Sequence, residues 1–111
     1  MRQISATELA QWLADPARPA PLLLDVRQPW EFDICRIAGA RLLPMAELPH
    51  QLSELQQEWP ADAPIVCICH HGARSLQVAA FLEQHGFGAI HNLAGGMHAW
   101  AREVDPAMAT Y

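Results

Sequence analysis

Residues 69 to 75 read Cys-His-His-Gly-Ala-Arg-Ser, and they follow an apolar run, Ile65-Val66-Cys67-Ile68. A thiol at the end of a buried-looking strand, with a glycine and an arginine shortly after it, combines a nucleophile with the means to hold charge. A tight turn from strand to helix needs the backbone freedom of Gly72. Successive N–H groups in such a curl form an anion nest. The helix expected to begin near Ser75 adds its partial positive charge, and Arg74 adds a permanent one. Cys69 in that cradle is expected to hold its thiolate form more readily than a free cysteine does, and the thiolate is the nucleophile of covalent catalysis. Taken singly, a cysteine at a strand end is more often a packing residue, and an arginine at a helix start a solvated charge. Their conjunction around one glycine favours chemistry.

The other two cysteines read differently. Cys67 lies mid-strand between Val66 and Ile68 and is expected to be core. Cys35 is expected to be partly exposed, with no role assigned. Three cysteines at these spacings form no disulfide framework. His70 and His71 beside two cysteines invite a metal reading, but Cys67 and Cys69 are at strand spacing rather than the two-residue gap of a zinc knuckle. Adjacent histidines in a tight loop also point apart, so no metal is expected. His50, His85, His91 and His98 carry no spacing signal.

The elements that must position the loop alternate. Ser5 to Asp15 reads as a helix with Leu9, Trp12 and Leu13 on one face and Ser5 or Thr7 as its cap. Pro21 to Val26 is a short continuous apolar run, as in a strand covered on both faces. A helical turn opens near Pro29, and Ala40 to Met45 suggests a strand ended by Pro44. Leu48, Leu52, Leu55 and Trp59 recur at helical spacing until Pro60. After the 64–69 strand, Ser75 to His85 is a helix stopped at Gly86. Gly88 to Leu93 is a weaker strand, and Gly95 to Val104 a last short helix. Trp12, Trp59 and Trp100 are expected in the core and Trp30 near the rim. This alternation predicts an α/β fold: three layers, with a central, mainly parallel sheet and helices on both faces. In such sheets ligands gather outside the carboxyl ends of the strands. Asp25-Val26-Arg27, Cys69 and Leu93-Ala94-Gly95-Gly96 are all expected on that rim.

Composition agrees and excludes. The chain of 111 residues is 51% hydrophobic and 17% charged, with a net charge of −5. That is a globular composition, expected to make one domain over residues 1–111. Scattered basic residues and an acidic balance argue against nucleic acid as a partner. No apolar run approaches a membrane span. The first residues have no apolar signal core, so a cytoplasmic location is expected.

The loop itself limits the anion. Four residues separate Cys69 from Arg74. Cysteine phosphatase loops place one more residue there, and the shorter cup suits an added sulfur atom rather than a phosphoryl group. Asp25, just after a strand and before Arg27, reads as an ion-paired scaffold residue rather than the general acid such phosphatases use.

With these features assembled, the chain resembles a single-domain rhodanese. Residues 22 to 45 resemble that family's first signature, an Asp-x-Arg followed by Glu-aromatic and Gly-Ala before a proline. Residues 69 to 75 resemble its active-site loop. Residues 86 to 100 resemble its closing Gly-Phe turn, strand and Gly-Gly-x-x-x-Trp helix. The resemblance implies a sulfurtransferase: Cys69 takes a sulfane sulfur from an anionic donor such as thiosulfate and, as a persulfide, passes it to cyanide or a thiol. The N–H groups from His70, His71, Gly72, Ala73, Arg74 and Ser75 would hold the transferred sulfur. The scheme needs no metal and no organic cofactor. An alternative is a persulfide carrier that does not turn over, loaded by a sulfur-relay protein. Where many members read Gly-His-Ile, this chain has Cys35-Arg36-Ile37, and Arg36 is expected to be solvated. Arg27 is expected to pair with a carboxylate, Glu31 being the candidate, while Asp25 holds loop backbone near the rim.

Overall fold

The computed structural model covers residues 1–111. Its first strand, β1 (Arg2–Ile4), is absent from the sequence expectation, because three residues with one buried side chain carry no readable period. Helix α1 (Ala6–Ala14) starts on a capping box: the Ser5 hydroxyl accepts from the Glu8 N–H, and the Glu8 carboxylate accepts from the Ser5 N–H. Such a cap satisfies two N–H groups that the helix leaves free. Strand β2 (Leu22–Asp25) follows, then α2 (Pro29–Ile34) with its proline in the first turn, and β3 (Arg41–Leu42). A 3-10 turn at Met45–Glu47 leads into α3 (Leu48–Glu58). The remaining elements are β4 (Ile65–Ile68), α4 (Ala73–Gln84), β5 (Ile90–Leu93) and α5 (Gly96–Glu103).

Every strand pair is parallel, in the order β1-β5-β4-β2-β3. Strand β4 is therefore central, and all four of its residues are buried. Its side chains alternate between two cores, as a strand covered on both faces requires. Ile65, Cys67 and Cys69 join a cluster with Leu48 and Leu55 of α3 and Val78, Ala79 and Leu82 of α4. Val66 and Ile68 join the other cluster, with Leu9 and Trp12 of α1 and Met97 and Trp100 of α5. The α/β layering expected from the alternation is thus observed.

Details depart from expectation. Leu13 is 38% exposed, off the buried face that Leu9 and Trp12 share. Trp12 and Trp100 are buried, while Trp59 only packs against the core edge. Cys35 is buried, at 8% exposure, against the expectation of a partly exposed thiol. Helix α4 begins two residues before Ser75, because Gly72 itself takes a left-handed φ of 108° and sets the turn. At the other end Gly86 adopts φ 96°, and the Phe87 N–H closes back on the Leu82 carbonyl.

The first turn of α5 is pressed onto the end of β4. The Met97 N–H donates to the Cys69 carbonyl at 2.8 Å, and the His98 N–H to the His70 carbonyl at 3.0 Å. A methyl group on Gly96 would collide with both carbonyl oxygens, and its φ of 56° also favours glycine. Gly96→Ala is therefore expected to cost about 2 kcal/mol or more, measured as a lower urea midpoint with an unchanged slope.

Candidate active site

Cys69 leaves the central strand and ends beneath the loop it begins. Its sulfur accepts from the Gly72 N–H at 3.0 Å and lies 3.3 Å from the Ser75 hydroxyl. The N–H groups of His70, His71, Ala73, Arg74 and Ser75 have no acceptor in the protein. The last three are the opening N–H groups of α4, which no helix satisfies internally. Loop and helix start together leave these donors free, as an anion nest requires. Cys69 is only 1% exposed, so its sulfur lies at the floor of this arrangement. Cys67, one pleat earlier, is unlike it: burial, then the neighbouring Cys69, push its thiol up to about 12. A group that holds its proton so firmly is inert near neutrality.

The two arginines do not pair as expected. Arg27 was expected on the Glu31 carboxylate; its partner is Asp25. Arg27 Nε donates to Asp25 Oδ1 at 2.9 Å and Nη2 to Oδ2 at 2.8 Å, both side chains being fully buried. The reason is spacing. Two residues apart at the end of β2, the pair closes a compact fork, and Asp25 also accepts from the Arg27 N–H at 3.2 Å. The three remaining guanidinium protons go to the Glu31 and Cys35 carbonyls and to the Tyr111 hydroxyl. Burial opposes the Arg27 charge, but the hydrogen bonds to Asp25 and Tyr111 outweigh it, and its pKa is raised.

Glu31 turns instead to Arg74, with two parallel bonds of 2.8 Å. It also accepts from the Gln28 N–H at 2.8 Å. Arg74 first, with the Gln28 N–H and the Tyr111 hydroxyl, holds the Glu31 carboxyl down to about 2 despite its burial. Arg74 is partly exposed, and its charge is shared between Glu31 and the surroundings of Cys69.

Two residues at the site escaped the sequence reading. The Tyr111 hydroxyl accepts from Arg27 Nη1 at 2.9 Å and donates to Glu31 Oε1 at 3.0 Å, joining the two ion pairs. Its ring lies over His70 at 4.2 Å and edge-on to Trp30, which is 59% exposed at the rim as expected. Nothing in the sequence marks Tyr111, since its hydroxyl's partners are 80 and more residues away. Asn92 is buried in β5, and its side chain reaches both Ser75 and the Gly72 carbonyl. An asparagine within the short strand Ile90–Leu93, a residue type that strands disfavour, was the available signal. Against the expectation that they point apart, His70 and His71 stack at 4.1 Å, with His98 5.0 Å from His71, forming an imidazole lip beside the loop. Arg36 is exposed and lies over the Phe32 ring, in keeping with a solvated charge.

Comparison with known proteins agrees with this geometry. A family model described as the rhodanese-like domain matches residues 5–103. A sulfurtransferase of Allochromatium vinosum is 40% identical over 109 residues, covering 98% of this chain and 96% of that one. The thiosulfate sulfurtransferase GlpE of Pseudomonas aeruginosa is 34% identical over 77% of this chain and 73% of its own. Other relatives are longer: the chain spans 38% of an Arabidopsis thaliana rhodanese-like/PpiC protein and 26% of the Mycobacterium tuberculosis protein named a probable adenylyltransferase/sulfurtransferase, MoeZ. Among solved structures, SSP1007 of Staphylococcus saprophyticus superposes with a TM-score of 0.80 at 32% identity, over 94% of this chain and 97% of that one.

Two measurements check the ion pairs. Arg27→Ala leaves Asp25 buried without its partner and is expected to destabilise by about 3–5 kcal/mol; a melt like that of the wild type would refute the structural role. For Glu31, folding favours the ionised form, so its stabilisation is complete above the ordinary value of 4.5 and is lost as pH falls toward about 2. The melting-temperature gap between wild type and Glu31→Gln should therefore narrow through that acid window.

Proposed function

The chain belongs to the rhodanese-like family, and on that premise we propose that it is a sulfurtransferase whose Cys69 carries the sulfur in transit. The observation that carries this reading is the Gly72 N–H aimed at the Cys69 sulfur at 3.0 Å, at the start of α4. A hydrogen bond to the charged form favours that form. The N–H groups of His70, His71, Ala73, Arg74 and Ser75 supply further donors for a second sulfur.

In the first half-reaction the Cys69 thiolate attacks the outer sulfur of thiosulfate. A new S–S bond forms, the donor's S–S bond breaks, and sulfite leaves with the electron pair. The charge passes to the outer sulfur of the Cys69 persulfide, where the loop N–H groups stabilise it. In the second, cyanide or an acceptor thiolate attacks that outer sulfur, and the Cys69 thiolate is regenerated as the leaving group. Proton, metal and organic cofactor have no part in either exchange. Because Cys69 is 1% exposed, the donor reaches it as the side chains of the loop part. Arg74 draws the anionic donor, while Glu31 limits how strongly it does so.

A second reading is favoured by that same burial and by the neutralising Glu31–Arg74 pair: a persulfide carrier loaded by a protein donor. Three free cysteines suit the reducing conditions of the cytoplasm, where we place the protein. Residues 1–111 act as one unit in either scheme.

Incubation with thiosulfate is expected to add one sulfur atom to the intact mass, located at Cys69. Cys69→Ser should abolish both the adduct and thiocyanate formation from cyanide; a serine variant with full activity would overturn the proposal. Rapid loading from a persulfidated protein with negligible loading from thiosulfate would select the carrier.

A further inference from the structure

Both groups that meet the Cys69 sulfur are held by one side chain from a neighbouring strand. Asn92 Nδ2 donates to the Gly72 carbonyl at 3.2 Å and to Gln3 Oε1 at 2.9 Å. A carbonyl can only accept, so Gly72 fixes which end of the amide is nitrogen. Asn92 Oδ1 therefore faces Ser75, whose hydroxyl lies 2.5 Å away. That hydroxyl has a single proton and two acceptors, Asn92 Oδ1 and the Cys69 sulfur at 3.3 Å. Ser75 and Asn92 are both shut off from bulk solvent, and Ser75 is the one protein donor that reaches Asn92 Oδ1.

We propose that Asn92 is a positioning residue that competes with the Cys69 sulfur for the Ser75 proton. While Cys69 is a thiol, Ser75 donates to Asn92 and accepts the S–H proton. When Cys69 is a thiolate, the Ser75 hydroxyl turns to the sulfur, and Asn92 Oδ1 is left buried without a donor. In the persulfide the charge has moved to the outer sulfur, and Ser75 returns to Asn92. This inference rests on the sulfurtransferase reading and deepens it. Asn92 disfavours the free thiolate against both of its neighbouring states, which drives sulfur uptake and keeps the attacking sulfur basic and nucleophilic.

The other titratable groups near the sulfur are Cys67 on β4, Arg74 on α4 with its partner Glu31 on α2, His70 and His71 on the loop, and His98 on α5, which packs against that loop. All stay in place in the variants that test the idea. The test is the pH profile of Cys69 alkylation by iodoacetamide, resolved by peptide mass spectrometry. It needs no sulfur donor, so a failed turnover assay and a failed Asn92 prediction are separate results. Asn92→Ala is expected to move the midpoint down by about half a pH unit or more, the worth of one hydrogen bond. In a Ser75→Ala background the same substitution should move it little, because the competed proton is gone. An unchanged or raised midpoint, or equal shifts in both backgrounds, would overturn the proposal. Should Asn92→Ala fail to fold, Asn92→Asp fills the same volume with a stronger acceptor. It should raise the midpoint more with Ser75 present than in the Ser75→Ala background, and an equal rise would overturn the proposal.

Discussion

The contact on which the site depends is a main-chain N–H meeting a sulfur, and the loop that makes it is held from outside. Buried backbone groups must find partners. Around residues 69 to 72 those partners belong to other elements: the first N–H groups of α5 take the Cys69 and His70 carbonyls, and Asn92 takes that of Gly72. With its carbonyls engaged in this way, the loop leaves its N–H groups for the sulfur. The close approach of α5 has room for glycine alone at position 96. Fold and chemistry are joined at these few main-chain bonds, and the two cores on either side of β4 keep them in register.

Charge is arranged in two tiers. The Asp25–Arg27 pair is wholly buried and anchors the end of β2. The Glu31–Arg74 pair is nearer solvent and stands beside the loop. Tyr111 links them. An exposed pair such as Arg41–Glu58 is worth about 0–1 kcal/mol, whereas the buried tier cannot lose a member without stranding a charge. The inner tier is thus architectural, and the outer one binds the Arg74 charge to Glu31 at the edge of the loop.

The layered fold and the loop were legible because both are local. Apolar runs of strand length, a glycine between cysteine and arginine, and prolines at helix boundaries act over a few residues. Partner choice was not legible. Arg27 has two carboxylates within four residues, Asp25 and Glu31, and only the tertiary fold, which brings Arg74 to α2, decides that Arg74 claims the second. Leu13 and Leu9 are equally apolar, and which of them faces the sheet depends on the docking angle of α1. Asn92 and Tyr111 matter through contacts across the chain that no spacing rule encodes. Strand β1 was missed for the same reason: its pairing with β5, rather than its own pattern, makes it a strand.

The placement of the three thiols has an oxidative corollary. Cys67 and Cys69 share one face of β4, two residues apart, so their Cβ atoms diverge beyond the reach of a disulfide. Cys35 belongs to the core on the opposite side of the sheet. Peroxide attack at Cys69 would then give a sulfenic acid with no resolving thiol inside the chain. Rescue must come from a thiol outside the chain, and where none arrives the lesion proceeds to the irreversible sulfinic stage.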